Sequence, residues 1–115
     1  MKYYDEESTG ALRERFEGEV LHWPEVTTRL MFGCPSYQVK ERLFAFLVTG
    51  GIVMTQLLQA DRDALGRWRE LEEFTAGERV MKKWVKVSVE GVRELSYLLP
   101  YVRKSYERAI ARAEE

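Results

Sequence analysis

The chain has 115 residues, of which 45 % are apolar and 32 % are charged, and its formal net charge is −1. This composition excludes an intrinsically disordered chain, and the length is sufficient for one ordinary hydrophobic core. No apolar run approaches the roughly 18 residues that a membrane-spanning helix needs, and the acidic start MKYYDEES does not resemble a signal peptide. We therefore expect one soluble domain over residues 1–115, without a membrane partner.

The first predicted element is an amphipathic helix over residues 8–22. Leu12, Phe16 and Val20 recur at every fourth position, and charged residues lie between them. This is the spacing of one buried helical face. Pro24 ends the predicted helix, because the residue before a proline is disfavoured in the helical region of backbone conformation.

Residues 28–57 are predicted to form a meander of four antiparallel strands. The runs TRLMF, SYQV, RLFAFLVT and IVMTQLL are rich in β-branched and aromatic residues. Turns are predicted between them at Gly33-Cys34-Pro35, Lys40-Glu41 and Gly50-Gly51. LFAFLV is apolar on both faces, so it should be a central strand covered on both sides, or by helices on one side and long side chains on the other.

Residues 60–71 return to helical spacing, and EEFTAGERVM after them is predicted to be mostly loop, with a short strand near Phe74. KWVKVSV over residues 83–89 alternates in the manner of a half-buried strand. One face of the predicted helix carries Ala64, Leu65, Trp68 and Leu71. The predicted strand carries Val85, Val87 and Val89 on one face, and Trp84, Lys86 and Ser88 on the other.

The last predicted element is a helix over residues 92–113. Its apolar stripe consists of Leu95, Leu98, Leu99, Val102, Tyr106, Ile110 and Ala113. Because proline removes a backbone hydrogen bond and clashes with the preceding turn, we expect a short helix, a kink or restart near Pro100, and a longer helix. The complete order predicts an α+β fold: an antiparallel sheet of about five strands, helices at both termini and one helix between strands. Three or four strands should precede the middle helix, and one or two should follow it.

Residue usage and charge are both uneven along the chain. There is no Asn and only one Cys, whereas Arg and Glu are abundant, a composition typical of thermophilic proteins. Residues 5–25 carry seven acids against two bases, and residues 79–108 carry eight bases against three acids. The two segments either neutralise each other, within the fold or in a homodimer, or leave one basic face for a partner.

Cys34 is the first candidate for chemistry. A single cysteine excludes an internal disulfide, which favours a cytoplasmic location. A catalytic thiol needs a neighbouring base, but the only histidine, His22, lies twelve residues earlier, so Cys34 is predicted to be structural. Together with Glu25 these residues give three metal ligands, fewer than a closed site uses. We expect no catalytic residues, no metal and no cofactor.

RVMKKWVKV over residues 79–87 is the strongest functional candidate, because it has four bases, a tryptophan and no acid. Bases interleaved with an aromatic side chain suit a phosphate backbone and a stacked base. The candidate nucleic-acid-binding residues are Arg79, Lys82, Lys83, Trp84 and Lys86. The alternative is a sheet face whose lysines lie over the tryptophan and pair with Glu14, Glu17 or Glu19, and the isoelectric point near 6.0 favours it.

Three stretches resemble motifs of a known family. WPEVTTRLMFGCPSYQVKERLFAFL is similar to its opening Pro-Gly-Val, its Phe-Gly turn and its V-x-x-K-x-F-A strand pair. VMKKWVKV and RKSYERA are similar to its late-strand M-N-K-x-H-W-x-x-V and to the Ser-Tyr of its terminal helix. On these motifs, residues 20–112 resemble the YjbR/MmcQ family and the related N-terminal domain of TfoX-type competence regulators.

This resemblance implies an α–β(3)–α–β(2)–α-like fold and a regulatory role without catalytic residues. It also implies DNA binding, which has been suggested for YjbR-like proteins through a paired-wing arrangement. The chain departs from the pattern at Thr55 and Gln56, where a lysine is frequent, and at Lys83, where the family has histidine. We expect a non-enzymatic interaction or regulatory protein with a protein partner, as a monomer or homodimer; the alternative is DNA binding through residues 79–86.

Overall fold

The computed structural model describes residues 2–115. It consists of a six-stranded antiparallel sheet and three helices. The α+β class is confirmed, with helices at both ends of the chain and one between strands. Four strands precede the middle helix and two follow it, which is the upper count expected on each side of that helix. The elements are α1 (Glu6–Val20), β1 (Val26–Met31), β2 (Cys34–Val39), β3 (Arg42–Val48), β4 (Gly51–Met54), α2 (Gln59–Gly66), β5 (Glu72–Ala76), β6 (Arg79–Ser88) and α3 (Val92–Ala113).

Helix α1 begins and ends two residues earlier than predicted. The Asp5 side chain accepts a 3.1 Å hydrogen bond from the Ser8 backbone N–H, and two glutamates follow in the first turn. A capping carboxylate and early acids both stabilise the positive end of a helix, so the start moves to Glu6. Three residues of the predicted apolar face, Leu12, Phe16 and Val20, are buried as expected.

The meander is confirmed, but two of its turns are displaced by one residue. The turn residues are Phe32-Gly33, Lys40-Glu41 and Thr49-Gly50. Cys34 and Pro35, which were assigned to a turn, instead pair with β1. Both residues of the first turn have positive φ, 55° and 77°. A proline cannot adopt positive φ, so Pro35 has to lie outside that turn.

The segment EEFTAGERVM is a β-hairpin: the short strand expected near Phe74 is found as β5, but the prediction that most of the segment is loop was wrong. Ala76 pairs with Arg79 across a two-residue turn in which Gly77 has a φ of 63°. The sheet order is β1-β2-β3-β4-β6-β5, so β6 lies between β4 and β5. The pairing register shifts between Glu73 and Phe74. This irregularity breaks the two-residue alternation by which a strand is recognised in a sequence.

The sheet carries apolar side chains on both faces. Phe16 of α1 packs on Tyr37 with ring centroids 4.9 Å apart, and Tyr106 of α3 packs edge-on to Phe44 at 5.3 Å. On the opposite face Phe46 lies among other aromatic rings. Residues 44–48 of β3 are all buried, which confirms the predicted central strand with helices on one side and large side chains on the other.

Two predictions about the later helices were wrong. Helix α2 ends at Gly66, and Trp68, which was assigned to its buried face, is 46 % exposed beyond the helix end. Helix α3 is one continuous element that contains Pro100. Buried residues flank the proline on both sides, so packing on the sheet holds the helix together despite the missing hydrogen bond.

Within residues 2–115, no helix combines the length and the apolar character that crossing a membrane requires.

Candidate nucleic-acid interface

The five residues predicted to bind nucleic acid all lie on β6, but in two different environments. Arg79, Lys82 and Lys83 are exposed near the hairpin turn. Trp84 and Lys86 are half-buried further along the strand. Residues 79–84 line a shallow depression of about 340 Å³. The structure therefore places the three exposed bases on the outer part of β6 and the tryptophan at the inner edge of that part.

The bases of β6 are not neutralised by the acidic N-terminal helix. Among the residues described, no carboxylate lies within 4.0 Å of the side-chain nitrogens of the four β6 bases. Glu17 is instead bonded to Arg13 at 3.0 Å, and Glu14 and Glu19 form no ion pair in the same part of the chain. The predicted pairing of these lysines with α1 is therefore not found.

Lys86 differs from the other three bases because it lies within the sheet. It stands opposite Val53 on β4 and Glu72 on β5. Opposite charges directly across two strands stabilise the pairing, and a lysine stem covers apolar surface well. Lys86 is therefore positioned for a role in the sheet rather than for contact with a ligand.

Trp84 packs into a cluster of aromatic rings on the sheet face opposite α1. Its ring centroid lies 5.4 Å from that of Phe46 and 6.0 Å from that of Phe74. Tyr3 extends the cluster, and its hydroxyl accepts a 2.8 Å hydrogen bond from the Gly77 N–H. We call Tyr3, Phe46, Phe74 and Trp84 the aromatic cluster; it packs against the β5–β6 hairpin, and its Tyr3 hydroxyl is bonded at the hairpin turn.

Lys83 also lines a second cavity, which sequence reasoning missed. This cavity, which we call the basic cleft, has a volume of about 250 Å³. Its lining consists of Thr55, Gln56, Leu57, Leu58, Gln59, Arg62, Lys83, Arg108 and Arg112. The only local signal for it was the four-residue spacing of two arginines on α3, which places them on one helical face. The other two bases come from α2 and β6, so their proximity depends on the tertiary fold.

The residues considered for catalysis and metal binding are in unfavourable positions for both. Cys34 is fully buried, and burial raises the pKa of its thiol to about 11. A nucleophilic thiol needs the opposite shift. His22 is exposed after the end of α1. In residues 2–115 no group of three potential metal ligands comes together.

An apolar groove lies between α2 and α3 and is separate from β6. Its volume is about 540 Å³, and we call it the aromatic groove. The lining residues are Asp61, Ala64, Trp68, Tyr97, Pro100, Tyr101 and Lys104. Trp68 donates its indole N–H to the Tyr101 hydroxyl at 3.3 Å, while Tyr97 is 64 % exposed. An exposed aromatic surface of this kind is typical of sites that contact other molecules.

Comparison of the chain with protein-family models, with curated proteins and with solved structures gives no match. The resemblance to the YjbR/MmcQ family and to TfoX-type domains accordingly stays a prediction from short motifs.

Proposed function

We propose that this chain is a non-enzymatic protein that binds DNA through phosphate contacts from the exposed part of β6. The observation that carries the proposal is that Arg79, Lys82 and Lys83 are exposed and, among the described residues, have no carboxylate within 4.0 Å. Basic side chains that are not engaged by acids are available to displace counterions from a phosphate backbone.

The shape of the β5–β6 hairpin supports double-stranded DNA as the partner. A two-stranded β-ribbon is one of the elements that the major groove admits. Successive side chains of a strand point to opposite faces, so Lys82 and Lys83 diverge around the ribbon. The DNA binding suggested for YjbR-like proteins, which the motifs resemble, agrees with this proposal. A cytoplasmic location agrees with it as well, because Cys34 is a free thiol.

The salt dependence of DNA binding tests the proposal. Three phosphate contacts predict that the logarithm of the association constant falls with the logarithm of salt concentration with a slope of about −2.7. Arg79→Gln and Lys82→Gln should each bring that slope about 0.9 closer to zero. Arg93→Gln, an equal charge change at the exposed start of α3, should leave it unchanged. Absence of binding at low salt, or equal slopes in all variants, would contradict the proposal.

A second candidate function is regulation through a protein partner. The observation that favours it is the aromatic groove, whose Tyr97 and Trp68 are 64 % and 46 % exposed. The partner we consider is a second copy of the chain, which matches the expected choice between monomer and homodimer. Sedimentation should show a dimer that Tyr97→Ser dissociates. A chain that stays monomeric at high concentration would contradict this candidate.

A further inference from the structure

The basic cleft gathers four positive side chains from three separate elements. Arg62 comes from α2, Lys83 from β6, and Arg108 and Arg112 from successive turns of α3. Its volume of about 250 Å³ is smaller than the roughly 300–1,000 Å³ of ordinary small-molecule sites. A cleft of this size suits a compact charged group better than an extended ligand.

The bases of the cleft have almost no acid beside them. In residues 2–115, Glu115 is the only carboxylate within 4.0 Å of any of the four, at 3.9 Å from Arg108. Arg112 donates to the neutral side-chain oxygen of Gln56 at 3.1 Å, and Arg62 donates to a backbone carbonyl at 3.5 Å. Converging like charges repel one another, so an anion in the cleft would remove an unfavourable interaction.

The polar floor of the cleft is fixed to the sheet. Ser105 is fully buried, donates its hydroxyl to the Phe44 carbonyl at 2.6 Å, and accepts the Gln56 N–H at 3.0 Å. The Thr55 N–H also donates to the Phe44 carbonyl, at 3.1 Å. A floor that is ordered before binding reduces the entropy lost when a ligand enters.

The start of α2 also borders the cleft. Its N-cap residue, Leu58, makes no side-chain hydrogen bond to the first turn, and Gln59 at the start of the helix lines the cleft. The first N–H groups of a helix carry partial positive charge and attract anions. Asp61 in the first turn, and Asp63, which accepts a 2.8 Å hydrogen bond from the Gln59 side chain, offset this partial charge, so the positive potential of the cleft comes from its four basic side chains.

We propose that the basic cleft binds a phosphomonoester head group. Arginine presents paired N–H donors that match phosphate oxygens, and a phosphomonoester carries nearly two negative charges near neutral pH. This site goes beyond the proposed DNA contacts: it shares Lys83 with them, but neither Arg79 nor Lys82 lines the cleft. The head group has two chemical sources: the 5′ end of a nucleic-acid strand, or a small phosphorylated molecule.

Titration with inorganic phosphate, followed by backbone amide NMR, tests for the shared chemistry. Saturable shifts are expected at Gln56, Gln59 and Lys83, and sodium chloride at equal ionic strength should not reproduce them. Arg108→Gln and Arg112→Gln should each weaken phosphate binding on the order of tenfold, because each removes charge-assisted hydrogen bonds. The matched control is Arg67→Gln, an exposed arginine just beyond α2 and outside the cleft, which should bind as the wild type does.

The fold of each variant is checked by its amide spectrum and thermal midpoint, so weaker binding by an unfolded chain is recognised. If either arginine variant unfolds, Lys83→Gln on the exposed surface of β6 replaces it, with the same expected loss. Shifts that saturate in the wild type and weaken only in the cleft variants support the proposal. Shifts that do not saturate, or that are equal in cleft and control variants, overturn it.

Two further ligands identify the source of the phosphate. Adenosine 5′-monophosphate is compared with adenosine, and a 5′-phosphorylated oligonucleotide with its 5′-hydroxyl counterpart. If the phosphate raises the binding affinity only within the oligonucleotide pair, the site binds the end of a strand. If it raises the affinity only within the nucleotide pair, the site binds a small phosphorylated molecule. Loss of phosphate binding in Arg112→Gln with an unchanged DNA salt slope supports a site independent of the DNA surface. DNA binding without any saturable phosphate binding overturns the cleft proposal and leaves DNA binding intact.

Discussion

The hydroxyl of Tyr37 on β2 donates a hydrogen bond of 2.6 Å to the carboxylate of Glu17 on α1. Arg13 donates to the same carboxylate oxygen at 3.0 Å. Burial, reinforced by the bond to Glu17, raises the pKa of the Tyr37 hydroxyl well above its usual range, so the hydroxyl stays a donor. The bond holds Glu17, the middle one of the three α1 glutamates that were candidates to pair with β6, beside β2. In the sheet, β2 lies three strands away from β6, a distance of roughly 14 Å. This separation explains why the acidic helix leaves the β6 bases free.

Tyr37→Phe should lower the free energy of unfolding by about 1.5 kcal/mol, because it removes a hydrogen bond to a charged group and keeps the packing of the ring on Phe16. Urea denaturation measures the loss. Tyr97→Phe is the matched control and should cost almost nothing, because that side chain is 64 % exposed. The salt slope of DNA binding should not change in Tyr37→Phe; a changed slope would show that α1 does influence the β6 surface.

Trp84 is expected to contribute more to stability than to DNA binding. Trp84→Ala should destabilise the chain by about 3 kcal/mol, because it opens a hole beside Phe46 and Phe74 in the aromatic cluster. Trp68→Ala removes a more exposed tryptophan and should cost less than about 1 kcal/mol. Trp84→Phe should fold and bind DNA with wild-type affinity. A folded Trp84→Phe variant that binds at least tenfold more weakly would instead favour base stacking on Trp84.

The order of elements could be predicted because each depends on a local pattern. The four-residue spacing of Leu12, Phe16 and Val20 and the alternation of Val85 and Val87 are both visible within short windows, and all five side chains are buried. The α+β class follows from that order alone. The aromatic and β-branched run in β3 likewise gave the central strand correctly.

The remaining features depend on contacts between distant parts of the chain. The basic cleft joins Arg62 to Arg112, which are fifty residues apart, through a floor fixed by Ser105. Neither the pairing of these segments nor the position of that floor has a signature in a short window.

Pro100→Ala should stabilise the protein, because Pro100 lies inside a continuous helix. An interior proline costs a helix about 3 kcal/mol relative to alanine, and partial relaxation around it reduces the expected gain to about 1–2 kcal/mol. Pro24→Ala is the control outside any helix and should lower stability slightly, through greater freedom of the unfolded chain. Thermal or urea unfolding measures both variants, and a destabilised Pro100→Ala chain would show that the proline has a packing role.

Gly51 and Gly18 should respond in opposite directions to replacement by alanine. A Cβ at Gly51 would lie 2.7 Å from the Val87 carbonyl oxygen on β6, and that oxygen cannot move without disturbing the β4–β6 ladder. Gly51→Ala should therefore cost about 2–3 kcal/mol. At Gly18, inside α1, a Cβ meets nothing within 4 Å, so Gly18→Ala should stabilise by about 0.5–1 kcal/mol. Chemical denaturation distinguishes these signs, and a neutral Gly51→Ala would contradict the close approach of β4 and β6.

Cys34 should make the stability of the protein fall in alkaline solution. Burial raises the pKa of the thiol from 9.0 to about 11, so the unfolded chain loses this proton at lower pH than the folded chain does. The stabilisation is fully present below about pH 9 and is lost as the pH rises to about 11. Because one pKa unit corresponds to about 1.4 kcal/mol, the stability of the wild type relative to Cys34→Ala should fall by about 2–3 kcal/mol over this range.

Urea unfolding of both proteins at pH 8, 9, 10 and 11, with a reductant present, measures that difference. Buried tyrosines, such as Tyr37, titrate in both proteins, so their contribution cancels in the comparison. At pH 8 the folded wild type should also react slowly with a thiol reagent, because Cys34 is neutral and has no exposed surface. A stability difference that stays constant from pH 8 to pH 11, or rapid modification of the folded chain, would show that the thiol is accessible and would reopen a chemical role for it.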